Sequence, residues 1–479
     1  MRTRREQHQA YRFLTRRIVS ALLSGEPETT ELPMRRFAFS VFGSVVVAIL
    51  VFAGFGVYGL LVPGGGQPAE NVIIVERETG AKYLFLQGQL HPVLNWASAR
   101  LILGEATPTV RTMSQTSLRD VPRGRPVGIQ NAPDALPAAS ALLGLPWSVC
   151  SAPRSPASVT LATHVFVGQT LPAGEPLGAG VGLLVSVGGG TERYLVWRDH
   201  RLRVASNATI VALNWASVRP APVGEAFLNA LPAGPDLAPI VLAEVGQRAQ
   251  PSIAGAPTVI GQLFRAGGQH YVMLRNGLTP VGEVAALLWA SGGQRITEIS
   301  AQEVGRVLVD TKVEPPGLPV DVPVARGADE RFGMACAVYR GSTDVDRPVT
   351  VETFARVGPE LTLTDQAAIP GAGADGVVTA DRVALQGGHA ALVSALTPPG
   401  ATSPGNLYLI TDQGIKYPLP QTDTDKVRAS LGYGDAKPVA VPGSILALVP
   451  TGAALDPRVA ALFATPATVG PSIPTGPIS

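Results

Sequence analysis

Six histidines (His8, His91, His164, His200, His270, His389) and two cysteines (Cys150, Cys336) are the residues of this 479-residue chain best suited to chemistry. Their spacing restricts it. No two histidines stand in H-E-x-x-H and no serine sits in G-x-S-x-G, so neither a helical zinc pair nor a nucleophile elbow is present. A triad gathered from distant residues is recognised by geometry and stays open at this level. A phosphate cradle needs glycine amides opening a helix, a lysine for the phosphates and a hydroxyl for magnesium, and G-x-x-x-x-G-K-S/T occurs nowhere in the chain. Gly371-Ala372-Gly373-Ala374-Asp375-Gly376 fits G-x-G-x-x-G, but no helical pattern follows it and no acidic partner stands about 20 residues on. It reads as a hairpin loop. His91 and His200 fall in or beside turns of a repeated hairpin and read as surface or packing residues. The residues therefore assign no catalytic, cofactor-binding or metal site, call for no cofactor, and lean away from an enzyme.

The elements that would position these residues start with a membrane span. Residues 37–62 are uncharged and dominated by Val, Leu, Phe, Ala and Gly. At about 1.5 Å per residue they reach roughly 39 Å, enough to cross a hydrocarbon core of about 30 Å. The run is too long for the apolar region of a signal peptide, and its exit, Pro63 to Pro68, lacks the small-residue cleavage pattern. Arg35 and Arg36 abut the span, whereas no basic residue follows it until Arg77, which puts the N-terminus in the cytoplasm and the rest outside. The expected localisation is a single pass through the cell membrane. Outside a reducing cytosol, a lone cysteine pair in a large domain points to one disulfide, Cys150 to Cys336, closing a loop of roughly 190 residues, with two separate buried thiols as the alternative. Before the span, residues 7–24 read as a helix with Tyr11, Leu14 and Ile18 on one face and arginines on much of the other. Such a helix can lie on lipid or dock on a cytoplasmic partner.

Only 15% of the chain's residues are charged while 53 are Gly and 43 Pro, which favours turns and short strands over long solvent-facing helices. No basic stripe interleaved with aromatics marks a nucleic-acid binder. Four segments match one another: Tyr83 to Val93, Tyr194 to Val204, Tyr271 to Val281 and Tyr408 to Pro418. Each reads as an apolar strand, a polar turn and a second strand, followed by a short helix at Asn95 to Leu103, Asn207 to Leu213, Glu283 to Ala290 and Thr424 to Leu431. The tyrosines are 111, 77 and 137 residues apart, which excludes a uniform solenoid and calls for inserts after the first and third repeats. The inserts carry the two cysteines. Repeats two and four share similar tails, Ala230-Leu231-Pro232-Ala233-Gly234-Pro235 and Leu448-Val449-Pro450-Thr451-Gly452-Ala453. Trp-Ala-Ser recurs at Trp96, Trp215 and Trp289, but at unequal offsets, and is a weak mark.

The expected fold class is α+β: an N-terminal cytoplasmic helix, one transmembrane helix, and an elongated extracytoplasmic region of four small hairpin/helix repeats around a β-rich central domain. The expected divisions are a basic cytoplasmic segment 1–36, the span 37–62, linker and repeat one 63–131, central domain 132–190, repeat two 191–250, repeat three 251–314, central domain 315–400, repeat four 401–464 and a Pro-rich tail 465–479.

The opening Tyr11-Arg12-Phe13-Leu14-Thr15-Arg16-Arg17, the single span, Tyr83 to Val93 followed by Asn95-Trp96-Ala97-Ser98-Ala99-Arg100-Leu101, Val127-Gly128-Ile129 followed by Ala132-Pro133, and the cysteine pair together resemble EccB. EccB is the single-span core component of the actinobacterial type VII (ESX) secretion machine. The resemblance covers the chain up to about Ala464; it departs in lacking a Trp beside Cys336 and in a divergent second insert. It implies a structural core subunit of the membrane complex that anchors and organises its extracytoplasmic part. The implied partners are an EccC-type ATPase, EccD, EccE, a mycosin protease, further EccB copies in a hexameric assembly, and the lipid bilayer, with no nucleic acid. Two other readings stand beside it. One is an anchored cell-wall-binding module, with Tyr83, Tyr194, Tyr271 and Tyr408 as aromatic platforms; the other is the ATP hydrolysis attributed to some members of the family.

Overall fold

The computed structural model describes residues 4–25, 34–61, 67–154, 160–329, 332–342, 348–357, 378–396 and 405–464. The chain forms two compact units, Met1–Pro92 with Thr109–Gly124, and Val93–Pro108 with Arg125–Ser479. Helix α1 (Arg4–Ser24) contains no Gly or Pro, and ends where Gly25 turns left-handed (φ 70°) and its amide bonds to the carbonyl of Ala21 at 3.1 Å. Helix α2 (Met34–Leu61) is apolar all round beyond its first turn, and Phe37–Tyr58 is long and apolar enough to cross a membrane. Its two serine hydroxyls are satisfied within the helix, Ser40 donating to the carbonyl of Phe37 at 3.0 Å and Ser44 to that of Val41 at 2.8 Å. That is the arrangement hydrocarbon surroundings demand.

After α2 the same unit is built four times, with two central-sheet segments interleaved. The first unit has β1 (Ile73–Glu76), β2 (Lys82–Leu86), β3 (Gln89–Pro92), α3 (Trp96–Leu103), β4 (Val110–Met113) and α4 (Gln115–Leu118). Central strands β5 (Trp147–Pro153), β6 (Leu161–Val167) and β7 (Glu175–Pro176) follow. The second unit is β8 (Val181–Val187), β9 (Arg193–Trp197), β10 (His200–Arg203), α5 (Asn207–Ala212), β11 (Ala221–Val223) and α6 (Glu225–Asn229). A separate hairpin, β12 (Arg248–Ile253) and β13 (Ala256–Val259), leads into the third: β14 (Leu263–Ala266), β15 (Gln269–Met273), β16 (Leu278–Val281), α7 (Glu283–Ala290), β17 (Ile296–Glu298) and α8 (Ala301–Val307). Strand β18 (Val324–Arg326) then adds to β8, and β19 (Met334–Tyr339), β20 (Thr350–Phe354) and β21 (Arg382–Ala384) return to the central sheet. The fourth unit is β22 (Ala390–Ala395), β23 (Leu407–Thr411), β24 (Lys416–Pro418), α9 (Thr424–Leu431), β25 (Val439–Val441) and α10 (Gly443–Ala447), with α11 (Pro457–Ala460) last.

The four sheets have one topology, β3-β2-β1-β4, β10-β9-β8-β11, β16-β15-β14-β17 and β24-β23-β22-β25. In each, the Tyr-bearing strand lies in the middle of three antiparallel strands and the fourth strand returns parallel to the first. The repeat is thus larger than the hairpin and helix visible in the sequence. Its first strand precedes the tyrosine, and β8 and β22 fall within stretches the sequence assigned to the central domain, 132–190 and 315–400. The reason is physical. Val-Gly-Leu-Leu-Val-Ser-Val and Ala-Ala-Leu-Val-Ser-Ala are strands buried on both faces over most of their length, so they lack the apolar/polar alternation that marks a half-exposed hairpin.

A second shared feature follows the last helix of units one, two and four. Pro122-Arg123-Gly124, Pro232-Ala233-Gly234 and Pro450-Thr451-Gly452 each bridge the third strand in parallel, at Leu90, Arg201 and Lys416. In all three the proline carbonyl accepts from the bridged residue's amide and the glycine amide donates back to its carbonyl. At Gly124 a Cβ would lie 2.3 Å from the His91 ring, and at Gly452 it would lie 2.7 Å from that of Tyr417. Unit three makes the bridge without the motif, from Leu308 to Leu278. The Trp-Ala-Ser triplets are not equivalent: Trp96 opens α3, Trp215 lies beyond α5 and Trp289 is near the end of α7.

The central sheet has the order β21-β6-β5-β19-β20-β7. One face, with Trp147, Val149, Val165, Val167, Ala335, Ala337 and Val351, shares a core with Phe227 and Leu228 of α6 and Ile445 and Leu446 of α10. The second and fourth units therefore both pack on this face through their last helices, and the Ser444 hydroxyl donates to the carbonyl of Ala230 at 3.1 Å between those segments. Helix α3 packs on α9 and α11, and α5 on α7.

Candidate functional site

The other face of the central sheet concentrates the chain's unusual chemistry. Backbone register aligns Arg382, His164, Cys150, Cys336 and Glu352 in one row across β21, β6, β5, β19 and β20. Register partners share a face, so these side chains are neighbours. Cys150 and Cys336 are bonded to one another, with Cα atoms 4.0 Å apart and both residues fully buried. Around the bond lie Ala152, Phe166, Met334, Val338, Phe354 and Ala384. A buried disulfide is out of reach of a thiolate and acts here as a staple between two sheet segments 186 residues apart in sequence.

His164 is 5% exposed. Burial, opposed by the nearby Asp381 and assisted by Arg382 and Arg154, pushes its imidazole down to about 4, so the ring is neutral at physiological pH. Its Nδ1 is buried without a partner, as are Nε and Nη1 of Arg382. Burial also lowers the Arg382 guanidinium from its ordinary value. At the other end of the row Glu352 is buried and receives Arg340 at 2.6 Å. Nothing in the sequence singled out this row apart from the cysteines, because its members are about 230 residues apart at most and meet only through strand register.

The remaining histidines do not converge on a catalytic arrangement. His8 lies in α1, His91 and His270 are buried in strands of units one and three, and His200 and His389 each face a carbonyl two residues away, Arg198 and Gly387, at 3.0 Å. Among the described residues no three His, Cys, Asp or Glu side chains could hold a metal ion. Gly371 to Gly376 lies outside the described residues, as does 465–479. The four repeat tyrosines are half-buried against hydrophobic cores rather than presented as flat platforms. Arg123 stacks over Tyr83 at 4.6 Å, Lys416 sits 5.8 Å from the Tyr408 ring, and the Tyr194 hydroxyl donates to Glu192 at 2.7 Å. In unit four a cleft of about 960 Å³ has charged walls, but Lys426 is paired with Asp423 and Arg428 with Asp425.

At the N-terminus Tyr11, Leu14 and Ile18 are 70%, 58% and 54% exposed, an apolar set on α1. Arg35 and Arg36 lie in the first turn of α2.

The chain matches, over residues 1–467, the profile of a family described as "Type VII secretion system ESX-1, transport TM domain B". It is 29% identical to the ESX-3 secretion system ATPase EccB3 of Mycobacterium tuberculosis, over 99% of this chain and 92% of that protein. It is 28% identical to the ESX-1 secretion system ATPase EccB1 of Mycolicibacterium smegmatis, over 96% and 94% of the two chains. Its fold is similar to a chain of an intact ESX-5 inner membrane complex, with TM-score 0.63, 22% identity and coverage of 100% and 98%. It is also similar to a chain of an EccB3 dimer from the ESX-3 core complex, with TM-score 0.60, 26% identity and coverage of 82% and 100%.

Proposed function

Because this chain belongs to the EccB family, transport membrane component B of type VII secretion systems, we propose that it is a structural core subunit of the secretion machine's inner-membrane complex, anchoring and organising the extracytoplasmic assembly. The observation that carries this reading is the family match along 467 residues, joined to one apolar helix, four repeats of one sheet topology, and a central sheet whose two segments are stapled by a disulfide. Solved relatives occur in an ESX-5 inner membrane complex and as an EccB3 dimer. Further copies of this chain and the membrane complex are the partners this supports. More specifically, α1 would dock on the cytoplasmic side through Tyr11, Leu14 and Ile18, beside an EccC-type ATPase and EccD, with EccE and a mycosin completing the particle. Arg35 and Arg36 would hold the N-terminus inside, leaving residues after the span on the far side.

The relatives' names include ATPase. We assign no hydrolysis to this chain, because its sequence lacks the glycine-lysine-hydroxyl combination of a phosphate loop and no three His, Cys, Asp or Glu side chains among the described residues could hold a metal ion. The test of the scaffold reading is purification of the tagged full-length chain from native membranes in mild detergent, with mass spectrometry of what co-elutes. EccC-, EccD- and EccE-like subunits in one large particle are expected. A lone chain, or one carrying wall fragments, would favour an anchored wall-binding module instead.

A further inference from the structure

We propose that Arg382 and His164 form a carboxylate-binding site on the disulfide-bearing face of the central sheet. The two residues are register partners on β21 and β6, so guanidinium and imidazole stand side by side, with Cys150 on the other flank of His164. Nε and Nη1 of Arg382 and Nδ1 of His164 are all shielded from solvent and all lack a partner. Three such nitrogens in adjacent side chains form a donor-rich cluster that no acceptor among the described residues meets.

The local carboxylates are engaged elsewhere. Asp381 bonds Arg154 at 2.9 Å and accepts the amide of Thr163 at 2.8 Å. Glu352, beyond the disulfide, is held by Arg340. Arg382 therefore carries a positive charge with no counter-ion among the described residues. The imidazole beside it is neutral, so the single charge of the guanidinium is matched by one negative charge. A guanidinium presents Nη2 together with either Nε or Nη1 as a planar two-pronged edge, which fits a planar carboxylate better than a spherical halide. The imidazole, in the tautomer protonated at Nδ1, supplies a further donor. The site does not depend on the secretion reading.

The experiment uses the full-length chain in detergent and acetate as the probe. Thermal unfolding is followed while acetate replaces chloride at constant ionic strength, with acetate binding read independently from ¹³C line broadening. The expected result is a saturable rise in Tm of about 3 °C specific to acetate, lost in Arg382→Gln. Arg382→Lys, which keeps the charge without the planar edge, should weaken acetate binding at least about tenfold while the chain stays folded. The same titration on the assembled complex identifies the source: a response there as well means a free small carboxylate, and a response confined to the isolated chain means a carboxylate supplied by a neighbouring subunit. No acetate-specific response in the isolated chain, or a response unchanged in both variants, overturns the proposal and leaves water as the occupant.

Discussion

Gly124 and His164 show how single residues are constrained here. A methyl group at Gly124 would run into the His91 ring, so Gly124→Ala should cost about 1–3 kcal/mol. Adding His91→Ala should recover much of that loss, a coupling that a double-mutant cycle by chemical denaturation would reveal. His164 predicts a pH dependence. Its folded-state value near 4 lies below the unfolded value of 6.5, so the fold favours the neutral ring. That stability is fully present above pH 6.5 and is lost as pH falls through 4, a loss of roughly 3 kcal/mol. Denaturation midpoints between pH 7 and 4 should therefore fall less steeply in His164→Leu than in the wild type; parallel curves would show that other groups set the acid limb. The tyrosines that recur in the sequence mark a structural position, the middle strand of each unit, and their half-burial accounts for their recurrence without a ligand.

Among elements, the short helices are the most legible. Helices α7 and α9 coincide with the expected residues 283–290 and 424–431, because their boundaries are written in turn residues and apolar spacing. The hairpin turns were equally plain. The opening strands β8 and β22 were not, since continuous apolar runs look alike whether they begin a repeat or belong to a central sheet. The Pro-x-Gly return was visible in units two and four but missed in unit one, where Arg123 and Arg125 flank the glycine in place of small or apolar residues. The Arg382–His164 pair could not be read at all, because strand register creates it. The staple between β5 and β19 carries its own prediction. Replacing both cysteines by serine should lower stability by up to about 5 kcal/mol on chain-entropy grounds, read from the denaturant midpoint. Because the bond is buried, reductant alone should release no labelled thiol until the protein is unfolded.

For the molecule as a whole, the predictions concern placement and activity. If Arg35 and Arg36 set orientation, a reporter fused after residue 464 should be active only outside the cytoplasm, and Arg35→Glu/Arg36→Glu should raise the inverted fraction; unchanged topology would move the determinant to the other arginines of α1. The purified chain should hydrolyse ATP no faster than a matched blank, and a magnesium-dependent rate that survives subunit removal would overturn that expectation. The central sheet also has a consequence for biogenesis. It takes strands from both sides of the excursion that builds units two and three, so on the proposed topology its N-terminal half would cross the membrane and wait for β19 to β21 to emerge. Vectorial export on that topology would deliver β5 with an open edge and an unpaired thiol, and any nascent chain halted between residues 150 and 336 would expose both to whatever guardian or oxidant the compartment provides.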